Sequence, residues 1–168
     1  MPFDSQPTLT GPLVGVRPLR ASDEAALFAV ASDPLIWAQH PAHRHEPEVF
    51  RAFFQESLAS GGALLVEEAQ TRRVIGSSRF HAYDEAQSEV EIGWTFLARS
   101  HWGGLYNGEL KRIMLDHAFH FVRSVVFHVS PMNIRSQRAV LKIGGVREPE
   151  RDSPGRLCFR IRIDRTVS

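Results

Sequence analysis

The chain has 168 residues, of which 43% are hydrophobic and 23% charged, and a formal net charge of +1. That length can bury a proper core within one domain, and a charge so near zero supplies no global field to gather nucleic acid or an acidic membrane. The single cysteine, Cys158, excludes an internal disulfide; with neither a charged-then-apolar leader nor a long apolar run, the expectation is a cytoplasmic protein without a membrane partner.

Residues 1–12 hold three prolines among small polar residues and read as an N-terminal tail ahead of a domain spanning 13–168. Leu13 to Leu19 alternates as a first strand, and Pro18 marks its end or an edge. Ser22-Asp23-Glu24 predicts a helix start with Ser22 as cap, running to about Ser32, where Asp33-Pro34 stops it. The loop from Trp37 to His45 carries three of the eight histidines. No carboxylate or thiol spacing completes a metal site there, so no metal is expected. A second helix, about 47–60, ends at Gly61-Gly62. An antiparallel meander follows over 63–68, 74–83 and 89–96. A second hairpin symmetric about Ala86 would set Tyr83 opposite Glu89, His81 opposite Glu91 and Arg79 opposite Gly93, which brings His81 and Glu91 onto one face.

From Glu89 to Gly145 the pattern is strand, glycine-bearing turn, long helix, strand, short helix. Val90, Ile92, Trp94 and Phe96 alternate with Glu89, Glu91, Gly93 and Thr95, the period of a strand with two unlike faces. Leu110, Ile113, Met114, Ala118 and Phe121 then recur at helical spacing, with His117 on the same stripe. Ser124 to Val129 reads as a nearly all-apolar strand, and strands joined through such a helix should be parallel neighbours. The turn before the helix offers backbone N–H groups without intrahelical partners at the positive end of a helix dipole, which suits phosphate oxygens. Asn133 is placed to cap the short helix and Gly144 to end it. In the last strand Leu157, Phe159, Ile161 and Ile163 face one way and Arg156, Arg160 and Arg162 the other, as on a charged edge strand or a nucleic-acid stripe.

Glu91-Ile92-Gly93-Trp94, Trp102-Gly103, Tyr106, Glu109, His117-Ala118-Phe119 and Asn133-x-x-Ser136-x-Arg138-x-x-x-Lys142-x-Gly144 resemble the GNAT acyltransferase superfamily, nearest its ribosomal-protein alanine N-acetyltransferase branch. The resemblance implies a mixed α/β fold: a largely antiparallel twisted sheet of about seven strands, two helices on each side, and splayed parallel central strands. It also implies acetyl-coenzyme A as cosubstrate and direct acetyl transfer to a primary amine, from a small molecule or a peptide or protein N-terminus. A homodimer is compatible with it; a nucleic-acid partner is not expected.

Carried onto this chain, the resemblance puts the cofactor against Thr95, Phe96, Leu97, Trp102, Gly103, Gly104, Leu105, Tyr106, Asn107, Asn133 and Arg138, with Arg135 and Lys142 also suited to its phosphates. A bulge near Thr95 and Phe96 would free N–H groups for the pantetheine arm. Glu91 becomes the base, and Ser136 or Tyr106 the group serving the departing thiolate. Trp37, His40, Phe54 and His81 become acceptor-site candidates. The chain departs from the family where its turn has Leu105 and Asn107 at two small-residue sites, and where Val140 stands at the site of a frequent tyrosine. A non-catalytic acyl-coenzyme A module and an RNA-associated protein using the arginine strand are the competing readings.

Overall fold

Runs rich in Val, Ile, Leu and Phe fit a pleated, half-buried surface. The computed structural model describes residues 2–163. Among these residues the runs form one sheet of eight strands: β1 (Leu9–Thr10), β2 (Val14–Pro18), β3 (Ala63–Glu68), β4 (Val74–Asp84), β5 (Glu89–Leu97), β6 (Ser124–Val129), β7 (Val146–Arg147) and β8 (Leu157–Arg162). Their spatial order is β1-β2-β3-β4-β5-β6-β8-β7, and β5–β6 is the parallel pair in an otherwise antiparallel sheet.

Helices α1 (Glu24–Ala31), α2 (Pro47–Ser60), α3 (Leu105–Ala118) and α4 (Ile134–Lys142) supply the covering layers. Leu27 of α1 and Phe50 and Phe54 of α2 bury against Leu65 and Phe96. Leu110 and Met114 of α3 and Val140 of α4 bury against Val66, Ile92 and Phe127 in a second cluster. Two helices therefore lie on each side of the sheet, the mixed α/β arrangement expected from the sequence.

Four local expectations are corrected. The first residues are not a loose tail: β1 pairs with β2, Phe3 packs on Phe80, Tyr83 and Phe121, and the His117 Nε2 bonds the Asp4 carbonyl at 2.7 Å. Ser22 does not cap α1; the turn is closed by Asp23, whose carboxylate accepts from the Arg20 N–H at 2.7 Å and from both terminal nitrogens of Arg17. In the hairpin, His81↔Glu91 and Arg79↔Gly93 are paired, but Asp84 rather than Tyr83 faces Glu89, because an irregularity at Ala82, with φ of 53°, takes up residues between them. Finally, β8 is not an edge strand: β7 covers its outer side, and Arg160 is buried in ion pairs, which removes the continuous arginine stripe an RNA reading needs.

The α1–α2 layer is tied to the sheet through Arg79. This side chain is 1% exposed, spans Glu56 of α2 with two bonds of 2.7 and 2.8 Å, donates to Ser57 Oγ at 2.7 Å, and lies 4.2 Å from the Trp94 ring centroid. Glu56 itself reaches solvent, so deleting the guanidinium strands no buried charge; the cost lies in the cavity and the lost packing. Arg79→Ala should lower folding stability by about 3 kcal/mol in urea titration, mostly through that void.

Candidate active site

The parallel pairing is short. β5 and β6 are joined at Glu89↔Ser124, Val90↔Val125 and Glu91↔Val126, after which β5 runs on to Leu97 still paired to β4, and β6 runs on to Val129 still paired to β8. A wedge therefore opens just past Glu91. Along the same strand the β4 register passes from Arg79↔Gly93 to Ser77↔Phe96, so β5 carries one extra residue, a bulge at Trp94 with φ of 53°. The bulge changes which face each side chain takes. Trp94 packs with the α1–α2 cluster, while the Thr95 hydroxyl points to the α3 side, 2.8 Å from Ser78 Oγ and 2.8 Å from Lys111 Nζ.

At the wedge's mouth α3 begins at Gly104, whose φ of 109° suits glycine, and no side chain caps the helix. Its first N–H groups are consequently free to meet an anion. Lys142 of α4 places its ammonium there, with Nζ 2.6 Å from where a Cβ on Gly104 would stand. A cation set against the positive end of a helix dipole is unfavourable unless an anion comes between them, so the pair fits a phosphate well. Leu105, at the first position of α3, is 77% exposed. Arg135 lies 3.5 Å above the Trp102 ring and donates to the Ile36 carbonyl at 3.3 Å, joining α4 to both the α3 turn and the loop after α1. Trp102 in turn donates to the Leu97 carbonyl at 2.9 Å. Arg138 is exposed.

Asn133 is buried and its Oδ1 accepts the Ser136 N–H at 3.2 Å, so its oxygen is committed to capping α4. Ser136 is half-buried at the first turn of α4. Tyr106 sets its ring against His101 at 4.7 Å, and Val140 is in the core.

On the opposite face, Glu91 sits at the fork, 5% exposed, with Arg156 Nη2 at 3.0 Å. Burial pushes its carboxyl above the usual range, and Arg156 and Arg79 pull it partly back. One step down the strand, Glu89 is held by Arg151 at 2.6 Å and Arg160 at 3.2 Å, and Arg160 also donates to Ser124 Oγ of β6 at 2.5 Å. His81 is exposed, and its ring lies against Trp94 at 4.9 Å.

Two acceptor-site candidates are core residues instead. Phe54 is fully buried and stacks on Phe50; Trp37 is 2% exposed and its indole N–H is committed to the Ala31 carbonyl. His40 is half-buried against Trp37, and burial with Arg44 nearby lowers its pKa to about 4. A surface concavity of about 480 Å³ lies between the start of α1 and α2, lined by residues such as Ala25, Phe28 and Arg51, and shares no lining residue with the wedge.

Sequence reading missed Lys111, Ser78 and Arg156. A signal existed for Lys111, because Met114, Leu115 and Ala118 follow it at helical steps, which puts it on the edge of the buried stripe. Arg156 had none, since its partner lies 65 residues away.

A sheet opened at one parallel pair, an uncapped helix and a lysine at the opening, and a buried carboxylate at its vertex are thus brought together by the fold. A family model described as the acetyltransferase (GNAT) domain matches residues 14–146, and the chain belongs to that family. Acetyl-coenzyme A is the acetyl donor of this family. Among solved structures, the chain is similar to an acetyltransferase from Agrobacterium tumefaciens, at 26% identity, covering 94% of this chain and 95% of that one, with a TM-score of 0.75. An acetyltransferase structure from T. thermophilus matches at 26% identity over 96% and 90% of the two chains, with a TM-score of 0.73. Mycobacterium smegmatis RimJ in complex with CoA-disulfide shares the fold at 20% identity over 90% and 86%, with a TM-score of 0.68. No protein of curated function matches the chain.

Lys142→Glu would set a carboxylate where the ammonium stands. The expected result is unchanged or slightly higher thermal stability, from the acid at a helix start, with acetyl-coenzyme A affinity down at least ~10-fold by calorimetry.

Proposed function

We propose that the protein transfers the acetyl group of acetyl-coenzyme A to a primary amine, of a small molecule or of a peptide or protein N-terminus, by direct attack in a ternary complex. The observation that carries this reading is Glu91: a buried carboxylate at the vertex of the parted strands, on the face not covered by α3 and α4.

The diphosphate of the donor would rest on the start of α3, at Trp102, Gly103, Gly104, Tyr106 and Asn107, with Lys142, Arg135 and the exposed Arg138 around it. The pantetheine arm would then follow the free edge of β5 past Leu97, Phe96 and Thr95, and Asn133 and Ser136 would bound the other wall. In this pose the thioester reaches the bulge, whose backbone donors can meet the oxyanion that develops on its carbonyl, an effect worth a few kcal/mol in comparable sites.

An amine reaches the thioester as an ammonium ion and attacks as the free base. Glu91 takes the proton, and its raised pKa brings it nearer to the operating pH, where a general base is most effective. Its ion pair with Arg156 has to open as the acceptor enters, so Arg156 gates the base. His81, across from Glu91 and exposed beside Trp94, borders the acceptor path with His40. Ser136 stands beside the departing sulfur as a hydrogen-bond donor. The chemistry calls for a reducing, acetyl-coenzyme A-containing compartment such as the cytoplasm.

Glu91→Gln should reduce kcat/KM about 10²-fold at neutral pH in a thiol-release assay. For the unaltered enzyme the basic form exists above the raised Glu91 pKa, so the rate falls as pH drops through it; the variant should lack this acid limb. An unchanged rate and an unchanged limb would remove Glu91 as the base.

A further inference from the structure

Lys111 is a lysine where α3 is otherwise core. It is 6% exposed, and among the described residues it makes no ion pair; its one hydrogen bond is the 2.8 Å contact to Thr95 Oγ1 in the β5 bulge. The acids of its own helix are turned elsewhere: Glu109 accepts from the Leu13 and Val14 N–H groups, and Asp116 faces Arg112. On β2, Arg17 is occupied by Asp23 and Glu67. From β4 only Ser78 meets the cluster, and it is fully buried with Thr95 as its hydrogen-bond partner.

A hydroxyl has two lone pairs and one proton. Lys111 has no other acceptor and donates to one lone pair. Ser78, buried, must give its own proton to the other or leave it unsatisfied. With Ser78 as the donor of their shared bond, both lone pairs of Thr95 are filled and its O–H is the remaining valence, carried on a half-exposed residue at the wedge.

Resting on the acetyl-transfer reading, we propose that Thr95 and Lys111 form the proton relay that serves the departing coenzyme A sulfur. As the acceptor nitrogen bonds to the carbonyl carbon, the C–S bond breaks and sulfur leaves with its electron pair. The Thr95 hydroxyl proton passes to sulfur while the Lys111 ammonium reprotonates Thr95. Lys111 is left as a neutral amine, and it regains a proton from water by the same path after coenzyme A dissociates. The proton lost by the acceptor amine goes to Glu91, so one proton is taken up and one delivered on opposite sides of the thioester carbon. This relay supplies the proton for which the family's frequent tyrosine is replaced here by the core residue Val140, while Ser136 only hydrogen-bonds the sulfur. Burial lowers the Lys111 pKa to about 7, so the ammonium can release its proton near neutrality.

The test uses the full chain, acetyl-coenzyme A and hydroxylamine, a small acceptor that is largely unprotonated at neutral pH and needs no acceptor pocket. The ammonium exists below its pKa, so the rate of the unaltered enzyme should fall as pH rises past about 7. Lys111→Met should lose this alkaline limb and ~10- to 100-fold in kcat, with the KM for acetyl-coenzyme A within about 2-fold. Thr95→Val should behave alike, and the double variant should be no slower than the slower single one, because the two act as a unit. Lys111→Met should also melt at a higher temperature. Its advantage should be greatest below pH 7, where the buried charge is present, and shrink as pH rises toward the unfolded-state pKa of a lysine, near ~10.4.

Either single variant keeping both the rate within about 2-fold and the alkaline limb would overturn the relay. An unaltered protein that binds acetyl-coenzyme A but releases no thiol above the solution rate would overturn the transfer reading, and the relay with it.

Discussion

Everything in this fold depends on how little of β5 is paired to β6. Two parallel strands of this length would ordinarily zip along their whole extent, since unpaired backbone groups inside a sheet are costly. Here each strand is kept by its outer neighbour instead: β5 stays with β4 as far as Leu97↔Gly76, and β6 stays with β8 as far as Val129↔Leu157. The sheet is in effect two plates, β1 to β5 and β6-β8-β7, hinged at three residue pairs. Gly76 makes the first plate possible near the opening. A Cβ there would lie 2.0 Å from the Phe96 carbonyl oxygen, so only glycine lets β4 follow β5 around the bulge.

A hinge this short needs reinforcement, and it gets it from buried charge. Arg160 of β8 reaches Glu89 on one plate and Ser124 on the other, with Glu148 on its remaining side and Arg151 completing the Glu89 carboxylate. Such a network is a weak source of net stability, because desolvating the ions offsets most of their attraction. Its directional bonds do specify a position. Removing Arg160 would take a buried partner from Glu89, Ser124 and Glu148 at once, so this arginine holds the two plates in one register just below the fork. The same arginine that would have belonged to a nucleic-acid stripe is thus part of the device that sets the wedge.

Periodicity made the frame legible. The bounds of α2, β3 and β6 follow directly from apolar spacing and from glycine and proline punctuation, and the parallel β5–β6 pair follows from the crossover through α3. Less visible were features that depend on one extra residue or on distant partners. The irregularity at Ala82 shifted the hairpin register, and no local composition announces it. Trp37 and Phe54 read as mouth residues because loops and helix starts near a site carry function, yet an aromatic side chain buries wherever a cluster is available, and Phe50, Phe53 and Phe96 provided one. Ion pairs across 60 or 70 residues, such as those of Arg156, Arg151 and Arg160, have no sequence signature at all.

The bulge at Trp94 also sorts the chemistry. Alternation along an unbroken strand would put Glu91, Gly93 and Thr95 on one face, base and hydroxyl side by side. One added residue reverses the parity: Gly93 and Trp94 share the face of Glu91, and Thr95 turns to the α3 side, where Lys111 meets it. Acyl transfer by direct attack brings the nucleophile to one side of the thioester carbon and sends the thiolate off another, so a proton must be taken up and a proton delivered at separate places. A carboxylate and an ammonium on the same face would neutralise each other as an ion pair. In the proposed mechanism the sheet itself keeps Glu91 and Lys111 apart, and the single inserted residue turns Thr95 from the carboxylate's face to the ammonium's.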